Sequence, residues 1–234
     1  MIKMVVSSFY NTLIDSEEAI PTSTMLEIER IRKKGIIFSV CTNRSYKEVL
    51  DYNKDFPFID YIISLNGSYV YDVISDKCLF KNKITKTNVK KISTIFENKQ
   101  IKYYGETKIY NTFDKVEDND IYKIEVEIAE DENLDSLSKL SINKSIFEKD
   151  SKTYLEITSS RSNMFNGVDK ISIKTGIKLS EVLVITCNDS DVSLVSNIKN
   201  SYIMKNCYKT LKKLDTKKTL SNDSKGVEKV LKQL

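Results

Sequence analysis

The 234-residue chain has no histidine. That absence excludes a Ser-His-Asp or Cys-His nucleophile, a histidine proton shuttle and any His-ligated metal. Catalysis, if any, has to run on carboxylates, Lys, Tyr, Cys or Ser. With only 6 glycines, neither a GxGxxG fingerprint nor a Walker loop can be found. The cysteines at 41, 78, 187 and 207 form no CxxC pair and no zinc-like spacing. They read as reduced, mostly buried intracellular thiols. No apolar run approaches the roughly 18 residues of a membrane span, and no charged-then-apolar signal segment opens the chain. No membrane association and a cytoplasmic location are the resulting expectations. Lys+Arg number 37 against 33 Asp+Glu, a net charge of +4. The basic residues are too scattered to argue for nucleic acid.

Charged residues make up 30% and hydrophobic ones 40%, values typical of a globular protein of one large or two small domains. The first third alternates strand and helix. Met4-Val5-Val6 reads as a strand that breaks at Ser7 into a polar loop. Thr24-x-x-Glu27 has the form of a capping box, followed by Met25, Ile28 and Ile31 at helical spacing and a stop at Gly35. "GIIFSVCTNRS" is a continuous apolar run ending in polar residues, as in a buried parallel strand. "SYKEVLDYNKDF" reads as a helix, "IDYIISLNGS" as a third strand, and "SYVYDV" with "KCLFKN" as a hairpin.

The pattern changes after about Lys81. "NVKKISTIF" puts Val89, Ile92 and Phe96 on one helical face. "DIYKIEVEIA" alternates with a period of two, which predicts a half-exposed antiparallel strand with Ile124, Val126 and Ile128 on one side. "NLDSLSKL" reads as a short helix, and "KSIFEKD" and "TYLEIT" as strands. Buried-strand grammar resumes at "EVLVITC", then a helix from about Ser190, a strand "SYIM" and a closing helix "SKGVEKVLKQL". The predicted fold class is α/β, a Rossmann-like parallel-sheet core interrupted by an inserted α+β cap. The expected boundaries are 1–81 and 159–234 for the core and 82–158 for the cap. Ligands of such sheets bind beyond the C-terminal strand ends, beneath any inserted lid.

Four strand-end loops, "SSFYNTL", "CTNRS", "SLNGS" and "TCNDSDVSL", taken in order, resemble the haloacid dehalogenase (HAD) superfamily, specifically its Cof-like sugar-phosphate phosphatases. The resemblance spans essentially the whole chain. It implies an inserted α/β cap, a DxDGT motif after the first strand and a Mg²⁺ between the acids and the phosphate. The first Asp of that motif is a nucleophile and the second a general acid. In register with it stand Ser8 at the nucleophile, Tyr10 at the acid and Asn11 at the glycine; Thr12 and Leu13 match. "CTNRS" keeps the phosphate-binding Thr42 with Arg44 and Ser45, but has Asn43 in place of glycine. Asn66-Gly67 is kept.

The phosphate-neutralising lysine of the family falls on Met164 when the chain is run without gaps from "YLEIT" to "TGIKLSEVLVI". Lys170, in "NGVDK", is the competing candidate and would shorten the following helix by six residues. In the fourth motif, normally GDxxND, Cys187 takes the place of a metal ligand and Asp191 is kept.

These substitutions remove the family's chemistry position by position. Mg²⁺ wants hard oxygen donors with one or two carboxylates, whereas Cys187 is soft and Ser and Tyr oxygens are neutral. Ser8 has no histidine to activate it. Tyr10, with a reference pKa of about 10, is a poor general acid near neutrality. Losing a positioned general acid alone costs roughly 10²- to 10⁴-fold. Ser8, Tyr10, Met164 and Cys187 are therefore expected to be vestigial, with no cofactor and no metal site.

Thr42, Asn43, Arg44, Asn66, Gly67 and Asp191 are the candidate ligand contacts. Structural roles are open to them as well: helix caps and turns for Thr42 and Asn66, a surface ion pair for Arg44, and a helix-dipole partner for Asp191. The expected function is a pseudophosphatase holding a small ligand, such as a phosphorylated molecule, or a protein partner in the core–cap cleft. The alternative is a residual hydrolase of small phosphorylated metabolites using Ser8 or Cys187.

Overall fold

The structure is a computed structural model that describes residues 1–54 and 57–234. Strand β1 (Met4–Ser8) is buried along its whole length and leads through helix α1 (Thr22–Lys33) to β2 (Ile37–Cys41). Helix α2 (Tyr46–Asn53), β3 (Tyr61–Ser64) and the hairpin β4 (Tyr69–Asp72) and β5 (Lys77–Lys81) follow. The second segment holds α3 (Lys86–Ile95), β6 (Ile101–Tyr104), β7 (Ile109–Tyr110), β8 (Lys123–Ile128), β9 (Ile142–Lys149) and β10 (Lys152–Ser159). The chain then returns through α4 (Met164–Thr175), β11 (Val182–Thr186), α5 (Val192–Asn197) and β12 (Ser201–Ile203). It ends in α6 (Lys209–Lys212), β13 (Lys217–Lys218) and α7 (Gly226–Leu231).

Two sheets result, as the change of sequence pattern requires. One has the order β13-β12-β11-β1-β2-β3-β4-β5 and the other, wholly antiparallel, the order β7-β6-β8-β10-β9. In the first sheet β13 through β3 run parallel, and the β3-β4-β5 meander closes the edge antiparallel. This is a Rossmann-like α/β core with a separate antiparallel cap. Apolar clusters cover both faces of the parallel sheet, which is why its central strands read as unbroken apolar runs. The cap packs Val89, Ile92 and Phe96 of α3 and its C-cap against Ile124, Val126 and Leu155.

Register sets the site. Ser8 stands beside Cys41 across the β1–β2 pair, and Ser7 beside Ile185 across β1–β11. The ends of β1, β2 and β11 therefore bring Ser8, Thr42 and Thr186 to one edge.

Several local expectations are corrected. Strand β1 continues through Ser8, so the loop begins at Phe9. Helix α1 starts at Thr22 with Pro21 as its N-cap; Thr24 lies inside it, buried, and caps nothing. Proline's fixed φ presets the entry, so the box residues are displaced by a turn position. The real box is on α2, where the Glu48 carboxylate accepts from the Ser45 N–H. Helix α2 ends at Asn53; the last two residues of the expected helix, Asp55 and Phe56, lie outside the described residues. "NLDSLSKL" contributes only a single turn at Asp135–Leu137, and the helix expected from Ser190 begins at Val192 after another such turn.

Strand β8 departs furthest from its expectation. Its charged side, Lys123 and Glu125, is buried rather than solvated. The reason is that this face of the cap is turned to the strand-end loops of the core.

Candidate functional site

Beyond the C-terminal ends of β1 and β2 lies a cleft of about 620 Å³, roofed by the cap strands. Its lining includes Tyr10, Thr42, Asn43, Arg44, Cys41 and Asp191. Ser8 does not line it. The Ser8 hydroxyl is fully buried, donating to Asp191 Oδ2 at 2.5 Å and lying 2.9 Å from Thr186 Oγ1. Thr186 in turn donates to the same Asp191 oxygen at 2.6 Å, and Cys41 Sγ closes the fourth side at 3.5 Å from Ser8 Oγ. Burial raises the Asp191 carboxyl above its ordinary value of 3.8, against the opposing hydrogen bonds from Ser8, Thr186 and Ser190.

The first loop is an irregular turn over Phe9–Leu13, with Asn11 at φ 59°, a left-handed conformation that asparagine tolerates without glycine. Three side-chain amides hold its carbonyls: Asn188 on Tyr10, Asn206 on Asn11 and Asn222 on Ile14, at 3.3, 2.9 and 3.1 Å. Phe9 is buried edge-on against Tyr10 and Tyr52. The Arg44 guanidinium sits 3.9 Å over the Tyr10 ring and 3.6 Å from Glu48. Burial pushes the Tyr10 phenol up, with Arg44 pulling the other way. It is a neutral phenol at neutral pH.

Asn66 and Gly67 sit in a turn after β3 in which Leu65, Asn66 and Gly67 all take positive φ (50°, 54° and 82°). A Cβ on Gly67 would lie 2.0 Å from the Asn163 carbonyl, so only glycine fits between this turn and the start of α4. Thr42 accepts the Arg44 N–H through Oγ1 at 3.1 Å, an intraloop bond.

The residues that composition and spacing did not single out come from the cap. Lys123, 1% exposed, donates to Glu156 at 2.6 Å and to the Asn43 carbonyl at 2.9 Å, and rests 4.1 Å from the Tyr104 ring centre. Glu156 also accepts from the Asn43 amide at 3.0 Å and the Asn66 amide at 2.8 Å. One cap carboxylate thus bridges two core loops. Burial works to raise the Glu125 carboxyl, but Lys123 and a hydrogen bond from Lys102 win and hold it below its ordinary value. The legible signal was the charge at alternate positions of β8 and β10, which reads equally well as a solvated face until the second sheet is placed.

This geometry sits on a chain whose residues 11–110 and 102–231 match the family pattern of haloacid dehalogenase-like hydrolases. The chain belongs to that family. Among HAD relatives, the 5-amino-6-(5-phospho-D-ribitylamino)uracil phosphatase YcsE of Bacillus subtilis (strain 168) is 20% identical, over 99% of this chain and 95% of that protein. A HAD-like hydrolase structure from B. subtilis superposes with a TM-score of 0.88 at 16% identity, covering 100% of both chains. A HAD subclass IIB sugar phosphatase superposes with a TM-score of 0.86 at 20% identity, over 99% of this chain and 98% of the other. These likenesses establish the shared fold with its cap.

The HAD resemblance implies Mg²⁺, and the donor set does not fit it. Asp191 Oδ2 is taken by two hydroxyls, and the Tyr10 carbonyl by the Asn188 amide. Cys187 is buried, bonded to Asn206, and its thiol is pushed up to about 12 by burial and then by Cys207. A protonated thiol is neither a hard ligand nor a nucleophile. Among the described residues no three Cys, Asp or Glu side chains cluster as a metal set. Met164 is the first residue of α4 and is buried among Val168, Ile171 and the sheet. Lys170 lies one and a half turns on, on the outer side of α4, 3.8 Å from Asp169 and 5.6 Å from the Phe80 ring centre. It lines neither cavity described here.

Proposed function

We propose that this HAD-family protein is a pseudophosphatase, which retains the core–cap cleft as a binding site and has lost phosphoryl-transfer chemistry. The observation that carries this reading is the Ser8 ring. The atom in register with the family nucleophile is buried between Thr186, Asp191 and Cys41, behind two residues, Asp191 and Cys41, that line the cleft. The neutral Tyr10, the buried Met164 and the protonated Cys187 support it at the other vestigial positions. With the core taken as 1–81 and 159–234 and the cap as 82–158, ligand contact falls to Thr42, Asn43, Arg44, Asn66, Gly67 and Asp191 on the core side. All four cysteines are free, which supports a reducing, cytoplasmic setting. No helix among the described residues is long and apolar enough to cross a membrane.

The test is hydrolysis of sugar phosphates and p-nitrophenyl phosphate with and without Mg²⁺. No turnover beyond that of a Thr42→Ala, Asp191→Ala control is expected. Mg²⁺-dependent turnover that the control abolishes would overturn the reading.

The alternative, a residual hydrolase on small phosphorylated metabolites, draws on the relatives being phosphatases. One contact favours it, the 2.5 Å Ser8–Asp191 pair, since a carboxylate is a possible base for a serine. The burial of that pair, with Asp191 raised toward its neutral form, counts against it.

A further inference from the structure

Among the described residues the two sheets have four open edges, and three of them are blunted. Strands β7 and β13 are two residues long, and β5 pairs irregularly, skipping Leu79. Strand β9 is different. It runs for eight residues without proline or glycine and pairs with β10 in unbroken register. A long regular edge offers a row of unpaired backbone groups to another strand.

The turn that follows fixes which groups those are. Asp150 and Ser151 both take positive φ, 52° and 60°, as in the two-residue turn of a tight hairpin. Lys149 and Lys152 face each other across it, and such a closing pair exchanges both of its backbone hydrogen bonds. Bonded pairs alternate along the ladder, so Lys144, Ile146 and Glu148 turn their N–H and C=O groups away from β10. Among the described residues none of these groups finds another partner. The same three side chains are exposed, Ile146 at 52%. Their order matches a second copy of the strand. Antiparallel pairing about a two-fold axis at Ile146 sets Ile146 against Ile146 and puts Lys144 opposite Glu148 on both sides of the axis. A slip of two residues either way loses both Lys–Glu pairs. Charges that would repel an arbitrary strand thus select this one.

We propose that the protein forms a two-fold dimer through β9, which joins the two cap sheets into one continuous sheet. The interface is isologous, so each contact occurs twice. Lys144 exchanges backbone hydrogen bonds with Glu148 of the partner subunit, and Ile146 with the partner subunit's Ile146. The exposed Ile146 side chains become buried against each other. Because Ile146 and Glu148 also line the main cleft, the partner strand forms part of its rim. The dimer is independent of whether the cleft is catalytic.

Sedimentation velocity on the full-length protein, from micromolar to millimolar concentration, is the test. The wild type is expected to be a dimer. Lys144→Glu and Glu148→Lys each set like charges opposite one another at both pairs, and each should weaken the dimer about tenfold or more. Both positions are exposed, so the monomer keeps its fold. Mixing the two variants, or combining both changes in one chain, brings opposite charges together again and should restore dimerisation. A wild type that stays monomeric over this range would overturn the proposal. So would a dimer that neither charge reversal weakens, or a loss that neither mixing nor the double change rescues.

Discussion

The floor and the roof of the cleft handle charge in opposite ways. On the floor, Ser8, Thr186 and Cys41 enclose Asp191 in neutral hydroxyls and a thiol, and burial raises the acid toward its neutral form. On the roof, Lys123, Glu125 and Glu156 are also buried, and they are paired with one another and bonded to Asn43, Asn66 and Tyr104. The difference is one of partners. Burial with no cation beside it pushes the Asp191 carboxyl up, whereas the Glu125 carboxyl, facing Lys123, is held below its ordinary value against its burial.

The largest effect should come from breaking the roof. Lys123→Ala strips the cation from Glu156 and should cost about 3–5 kcal/mol in denaturant unfolding. The double change Lys123→Met, Glu156→Leu should recover much of that loss. If Lys123→Ala proves neutral, the roof is no ionic lock.

On the floor, Asp191→Ala leaves the Ser8 and Thr186 hydroxyls without their acceptor and should cost about 1–3 kcal/mol. Asp191→Asn keeps the acceptor and should be close to neutral at pH 7. The pH profile sharpens this. A carboxyl raised by folding binds more protons in the native than in the unfolded state above its ordinary value of 3.8. Stability should therefore fall as pH rises from about 3.8 to the raised native value and then level off. Asp191→Asn should flatten that fall, measured as melting temperature against pH. An unchanged profile would mean that Asp191 is ionised throughout.

A smaller effect is expected where the two regions meet. Arg44→Ala removes a partly exposed guanidinium from the Tyr10 face and should cost about 0.5–1 kcal/mol. A larger loss would make Arg44 part of the roof.

How much of this could be read from the sequence follows the same division. The parallel sheet, the cap and the loop register were legible because buried strands are long apolar runs and the loops keep Thr12, Thr42, Arg44, Asn66 and Gly67. The residue types at Ser8, Tyr10, Met164 and Cys187 were legible, and they underlie the proposal that the site is non-catalytic. The Ser8 ring was not, because β1 runs two residues farther than its polar letters suggest and buries Ser8 as the last residue of the strand. The roof was not, because Lys123, Glu125 and Glu156 alternate with apolar residues as any solvated strand face does. Only the placement of the second sheet over the first shows what they face.

The most direct test is a crystal structure grown with Mg²⁺ and vanadate, a phosphate analogue. The expected result is no metal among Ser8, Tyr10, Cys187 and Asp191, with the hydrogen-bonded ring of Ser8, Thr186 and Asp191 intact. A hydrated Mg²⁺ coordinated by Asp191, with vanadate against Ser8 and Thr42, would contradict the account.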